Sequence, residues 1–179
     1  MMAEPRDHVE YIHVSLRIPV PTRNRIEEDA KHQYTNFNSL ASKILTKYTS
    51  FDKIVEDVDA ISLSGRLFSG MLEDTSEEHL VRLGKELGSE LIKETFAFLD
   101  LEHDISGLIL CYFEPMSSFS KWFTFTMAGS GPSRRLMFMH SRGPKWSAFL
   151  KAYIASIIKT SIGVEPRVIV EDHLVTVYC

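Results

Sequence analysis

Two stretches of the chain carry side chains spaced for recognition chemistry. From Tyr11 to Pro19, the polar His13, Ser15 and Arg17 alternate with Ile12, Val14, Leu16 and Ile18. A period of two places the polar set on one side of an extended segment and the apolar set on the other. Arginine can bond bidentately to guanine O6 and N7, serine can donate or accept, and histidine offers either. The second stretch is His140-Ser141-Arg142-Gly143-Pro144-Lys145-Trp146-Ser147, running from a predicted strand into a predicted helix N-terminus. Backbone amides there, with Arg142 and Lys145, could hold an anionic ligand, and Trp146 could wall its pocket. The plainer alternative is a strand-to-helix corner with Trp146 in the core and both cations solvated or paired with acidic residues.

Other chemistries find less support. No nucleophile beside a base, carboxylate dyad, Walker loop or dinucleotide fingerprint occurs, so no enzyme is expected. The metal-ligand types available are His103, Cys111, His140, His173 and Cys179. Only His173 and Cys179 come near a useful spacing, and on an extended strand they would stand roughly 20 Å apart, too far to share one ion. No metal or other cofactor is expected. Cys111 reads as a small buried hydrophobe, and His140 and His173 as residues that cap or flank strands. Two cysteines are too few for a disulfide framework.

Composition sets the outer bounds. At 179 residues, 44% hydrophobic, 25% charged and net −4, the chain has the make-up of a soluble globular protein with one real core or two small ones. Disorder, a collagenous repeat and reliance on overall basicity to hold a polyanion are excluded. Glu4, Arg6, Asp7 and Glu10 stand where a signal peptide needs an apolar block, and no apolar run approaches the length of a membrane span, so a cytoplasmic location is expected. Charge is segregated: residues 1–53 carry +1, 54–114 carry −10, 115–164 carry +7 with no acidic residue, and 165–179 carry −2. Opposed blocks most simply pack on each other or on a partner subunit; the rival reading is a second polyanion site.

The elements that position these residues follow from periodicity. Tyr11–Pro19 is a half-buried strand stopped by Pro19 and Pro21. Residues 22–33 form a helix with Ile26 and Ala30 inward, too charged elsewhere to be stable without a partner surface. Asn36 caps a second helix whose Phe37, Leu40, Ala41, Ile44, Leu45 and Tyr48 share one face, and further helical turns cover 51–58. Residues 61–72 alternate loosely through Ile61, Leu63, Gly65 and Leu67 and read as a strand. A capping box of Thr75 and Glu78 opens a long helix to about Leu99. Residues 104–113 read as a buried helix ended by Pro115. Strands at 122–127 and 136–139 flank the turn Gly129–Ser133. A helix over 144–161 turns Trp146, Phe149, Leu150, Tyr153, Ile154 and Ile157 inward, with Gly163 after its end. A hairpin around Asp172-His173 closes the chain. The fold class is α+β, with residues 9–56 as one unit and 57–179 as a mixed domain with antiparallel strands.

One strand and two helices in about 40 residues cannot enclose a core alone. Two copies can, if their strands pair antiparallel into a ribbon backed by four helices, and such a ribbon fits the DNA major groove. The segment Val14-Ser15-Leu16-Arg17-Ile18-Pro19, the following helix and Asn36-Phe37-Asn38-Ser39 resemble the ribbon-helix-helix (MetJ/Arc) superfamily, over Ile12 to about Tyr48. The resemblance implies that His13, Ser15 and Arg17 read bases. It also implies that the amides of Phe37 and Asn38 clamp a phosphate, with Ser39 and Lys43 beside them. The segment is nearly neutral, with Glu27, Glu28 and Asp29 on the first helix, so phosphate affinity is expected to be modest unless Arg23, Arg25, Lys43 and Lys47 face the DNA backbone. Tyr34 stands where that family commonly has a left-handed glycine, which predicts a turn of different build.

The expectation is a homodimeric, sequence-specific DNA-binding regulator without membrane contact, whose second domain binds an effector or sets the oligomer. Its rivals are an ordinary sheet strand at 11–19 with its polar side in water, a small-molecule sensor or protein-interaction module whose ribbon only dimerises, and an antitoxin that wraps a toxin. The last fits poorly, because its C-terminal part reads as folded.

Overall fold

The computed structural model describes residues 12–57, 62–99 and 104–178. Glu4, Arg6, Asp7, Glu10, Tyr11, Val58, Ile61, His103 and Cys179, all invoked above, lie outside them. The chain divides into two compact units, residues 1–45 and 46–179, rather than at 56/57.

In the first unit, residues 12–19 form no strand within the single chain, which corrects the predicted element. A strand exists only through a ladder partner, and none is supplied here. The whole segment is exposed, polar and apolar residues alike, with Ile12, Val14 and Leu16 at 82, 61 and 62%. Helix α1 (Val20–His32) starts earlier than predicted, with Pro21 in its first turn, where a missing N–H costs nothing. Ala30 is buried and Ile26 half-buried. Helix α2 (Phe37–Lys47) opens on Asn36, whose Oδ1 accepts from the Ser39 amide at 2.9 Å.

The turn between them overturns the expectation of a different build. Tyr34 takes the left-handed conformation itself (φ 53°). The Thr35 amide donates to the Ala30 carbonyl at 2.9 Å and the Tyr34 amide to Lys31 at 3.1 Å, the crossed pair of a Schellman cap. These bonds hold a non-glycine residue in a region that costs roughly 1–2 kcal/mol.

In the second unit a π-helical turn (Tyr48–Asp52) leads into α3 (Lys53–Asp57). The strand predicted over 61–72 is instead helix α4 (Gly65–Asp74). Ser64 caps it by accepting from the Leu67 amide at 3.2 Å, and Phe68 and Leu72 turn inward at a spacing of four. The loose alternation ran only to Leu67, and the helical period takes over there. Helix α5 (Glu77–Leu99) is capped by Ser76, which accepts from the His79 amide at 3.2 Å. The predicted Thr75 cap is engaged elsewhere, its hydroxyl donating to the Met71 carbonyl at 2.7 Å.

Helix α6 (Ile105–Leu108) continues through Pro115 to Ser120 as two π-helical turns, Ile109–Phe113 and Met116–Ser120. Proline lacks an N–H and crowds the carbonyl four residues back. The wider turns on either side accommodate it, so Pro115 does not end the helix.

Strands β1 (Thr124–Ala128), β2 (Arg135–Met139), β3 (Arg167–Glu171) and β4 (Leu174–Tyr178) form one antiparallel sheet in the order β1-β2-β4-β3. The register aligns Phe125, Phe138, Val175 and Val170 in one row and Met127, Leu136, Val177 and Val168 in the next, on the same face. Of these, Leu136, Phe138, Val175 and Val177 are fully buried, as central strands require. Helix α7 (Pro144–Ile162) is the hub: the predicted inward residues are all buried, and so are Ser147, Ala152, Ile158 and Ser161. It is covered on more than one side, which a narrow amphipathic stripe would not show. Helix α5 lies along it through Gly84 and Gly88, where a Cβ would stand 2.7 Å from the Phe149 carbonyl oxygen and 2.5 Å from that of Tyr153.

The acidic and basic blocks do meet at this contact, but no ion pair joins them among the described residues; the ion pairs there are local, as in Arg82–Glu86 and Lys159–Glu165. The polar links between the blocks include the Ser156 hydroxyl to the Lys85 carbonyl at 2.7 Å and Lys145 to carbonyls of α4. Among the described residues no helix is long and apolar enough to cross a membrane.

Candidate functional site

In the first unit, His13, Ser15 and Arg17 are all exposed, each between exposed apolar neighbours. At the start of α2 the amides of Phe37 and Asn38 have no partner among the described residues, whereas the Ser39 amide is taken by Asn36. Lys43 and Arg25 are exposed, and Arg23 is held by Glu27 at 3.3 Å, one turn along α1; Lys47, which belongs to the second unit, is held by Asp52 at 2.5 Å. Two of the four candidate cations are therefore partly neutralised by local carboxylates.

In the second unit a cavity of about 370 Å³ opens beneath the corner between β2 and α7. Its lining is chiefly aromatic and aliphatic, with Phe68, Phe119 and Trp122 beside Leu91 and Met116, and among the described residues Arg142 is its one charged member. The corner positions Arg142. His140 Nδ1 accepts from the Arg142 amide at 3.2 Å, so the ring proton sits on Nε2 and donates to Ser147 Oγ at 2.9 Å. Ser147 in turn donates to the Asp172 carbonyl at 2.5 Å. This relay ties the corner to the β3–β4 hairpin, and Gly143, at φ 80°, makes the bend into α7. The guanidinium then lies over the Phe68 ring, 5.1 Å from its centroid.

The stretch singled out in sequence is thus only partly a site. Lys145 does not line the cavity; its Nζ donates to the carbonyls of Glu73 at 2.7 Å and Leu72 at 3.3 Å, closing the C-terminal end of α4. Trp146 is a core residue, 3% exposed, with its indole N–H donating to the Trp122 carbonyl at 3.1 Å. Successive helical residues are rotated by about 100°, so Lys145 and Trp146 leave the direction that Arg142 takes before the bend. Trp122, stacked edge-on to Trp146 at 5.4 Å, walls the cavity instead.

Sequence reasoning missed the Tyr112–Tyr153 pair. Both line the cavity, both are buried, and their hydroxyls are hydrogen-bonded to each other. Burial pushes the Tyr112 phenol up to about 12, against the opposing effect of the Tyr153 hydrogen bond, and raises Tyr153 well above the usual range. Both phenols therefore stay protonated at physiological pH. Cys111, also in the lining, is half-buried, and burial raises its thiol. No local spacing marks this pair, since the residues come from separate helices.

His140 is held down to about 4, first by burial and then by the neighbouring His173 and Arg142 charges. Its ordinary value, near 6.5, applies in the unfolded chain. The unfolded state therefore takes up the proton first as pH falls. The contribution is fully present above about pH 6.5 and is lost down to about pH 4. Thermal melts across this window are expected to decline more steeply for the native chain than for His140→Gln. Parallel pH profiles would rule out His140 as the titrating group.

Compared with family models, curated proteins and solved structures, the chain matches none of them.

Proposed function

We propose that the chain is a dimeric, sequence-specific DNA-binding transcriptional regulator of the ribbon-helix-helix kind, working in the cytoplasm. Residues 12–18 of two copies would pair antiparallel and present His13, Ser15 and Arg17 to the major groove. The observation that carries this reading is the exposure of Ile12, Val14, Leu16 and Ile18 in strict alternation with those three polar residues. A row of large apolar side chains left in water, on a segment without ladder partners, is what a second copy would bury. Ile44, Leu45 and Tyr48, predicted on the inner face of the second helix, are likewise 45–54% exposed and would join that shared core. The Phe37 and Asn38 amides at the helix start, without a partner among the described residues, support a phosphate contact.

A second reading, a sensor whose ribbon only dimerises, is favoured by the near-neutral charge of residues 1–53 at +1. Low positive charge weakens the counterion-release contribution that dominates DNA affinity.

Light scattering with recovery of genomic fragments at physiological salt tests both readings. The native chain is expected to be a dimer that enriches particular fragments, and Val14→Pro, which removes a ladder N–H, should lose dimer and enrichment together. A native dimer that enriches nothing leaves the sensor reading; a native monomer removes both.

A further inference from the structure

We propose that the cavity beneath Arg142 is a binding site for a small apolar carboxylate, with an aryl or medium-chain alkyl body. The volume of about 370 Å³ and the mainly apolar lining suit a small-molecule site. Two polar features give it direction. Arg142 is half-buried and stacks on Phe68, and among the described residues it has no carboxylate partner and no acidic residue lines the cavity. Its planar fork matches the two oxygens of a carboxylate.

The second feature is independent of the first. Tyr112 and Tyr153 hold two phenolic protons between them, and one mutual hydrogen bond uses only one. Neither hydroxyl has another partner among the described residues, and the two side chains are 7% and 0% exposed. A buried donor without an acceptor is costly, and a ligand oxygen would supply the acceptor. One guanidinium and one phenol match a single negative charge. A phosphate dianion would carry uncompensated charge into an aromatic lining.

The test uses the full chain and no DNA, so its outcome is separate from that of the regulator reading. Phenylacetate, 4-phenylbutyrate, octanoate and decanoate are titrated calorimetrically beside their amides. At least one carboxylate is expected to bind saturably, with its amide about 10- to 100-fold weaker. Arg142→Gln should bring acid and amide to equal affinity. Should that variant fail to fold, the native ring of contacts is read instead in a Cys179→Ser chain, where the bound carboxylate should slow labelling of Cys111 by N-ethylmaleimide. Failure of all four acids to bind, equal binding of acid and amide by the native chain, or unchanged Cys111 labelling at saturation would each overturn the proposal.

Discussion

On the proposed regulator reading, replacing Arg17 by alanine is expected to leave the fold and the proposed dimer intact while abolishing most sequence preference. Arg17 is exposed and makes no ion pair among the described residues, so truncation removes no packing. A bidentate arginine–guanine contact discriminates by roughly 1–3 kcal/mol, and a two-fold dimer makes it twice. The ratio of affinities for a selected fragment and a scrambled one should then fall by roughly 30-fold to 20,000-fold. Lys43→Ala is the contrast, because a phosphate contact carries no sequence information. It should weaken both fragments alike and flatten the salt dependence. Fluorescence anisotropy at several salt concentrations separates the two effects. An unchanged ratio in Arg17→Ala would take that residue out of base reading.

Gly88→Ala is expected to destabilise the second unit strongly. Helix propensity alone says the opposite, since alanine in a helix interior is favoured over glycine by about 1 kcal/mol. Here the new Cβ would stand 2.5 Å from the Tyr153 carbonyl oxygen and 3.0 Å from the Ser156 Cβ. The oxygen belongs to the backbone of α7, which is buried against the sheet and cannot swing aside, so α5 must move away. Overpacking of this kind costs about 1–3 kcal/mol, which in a domain of this size lowers the melting temperature by roughly 3–10 °C. Gly70 supplies the control, being exposed in α4 with nothing within 4 Å of its would-be Cβ. Gly70→Ala should be neutral or stabilising. If both variants melt together, the close approach of α5 to α7 does not hold.

Where local signals agreed, the elements were legible. The Asn36 cap with its apolar face, the long helix to Leu99, the Trp146-to-Ile157 stripe and the hairpin at Asp172-His173 all rest on period or turn chemistry within a few residues. Errors arose where two local readings competed. Leu63, Gly65 and Leu67 alternate like a strand, while Leu67, Phe68, Met71 and Leu72 repeat like a helix, and the Ser64 cap decides for the helix. Thr75 and Ser76 are both capping residues, and only the backbone path selects Ser76. Pro115 reads as a stop because π-helical turns have no sequence signature of their own.

The amino-acid order by itself supplied the polar and apolar alternation of residues 12–18, and it drew attention to Arg142, because alternation and a cation ahead of a helix are local patterns. Tertiary structure alone decided which of Arg142, Lys145 and Trp146 faces a cavity, and it alone brought Tyr112 to Tyr153 across 41 residues of chain. The reason is physical: a period specifies which way a side chain leaves its own element, whereas a cavity exists only where separate elements fail to fill the space between them.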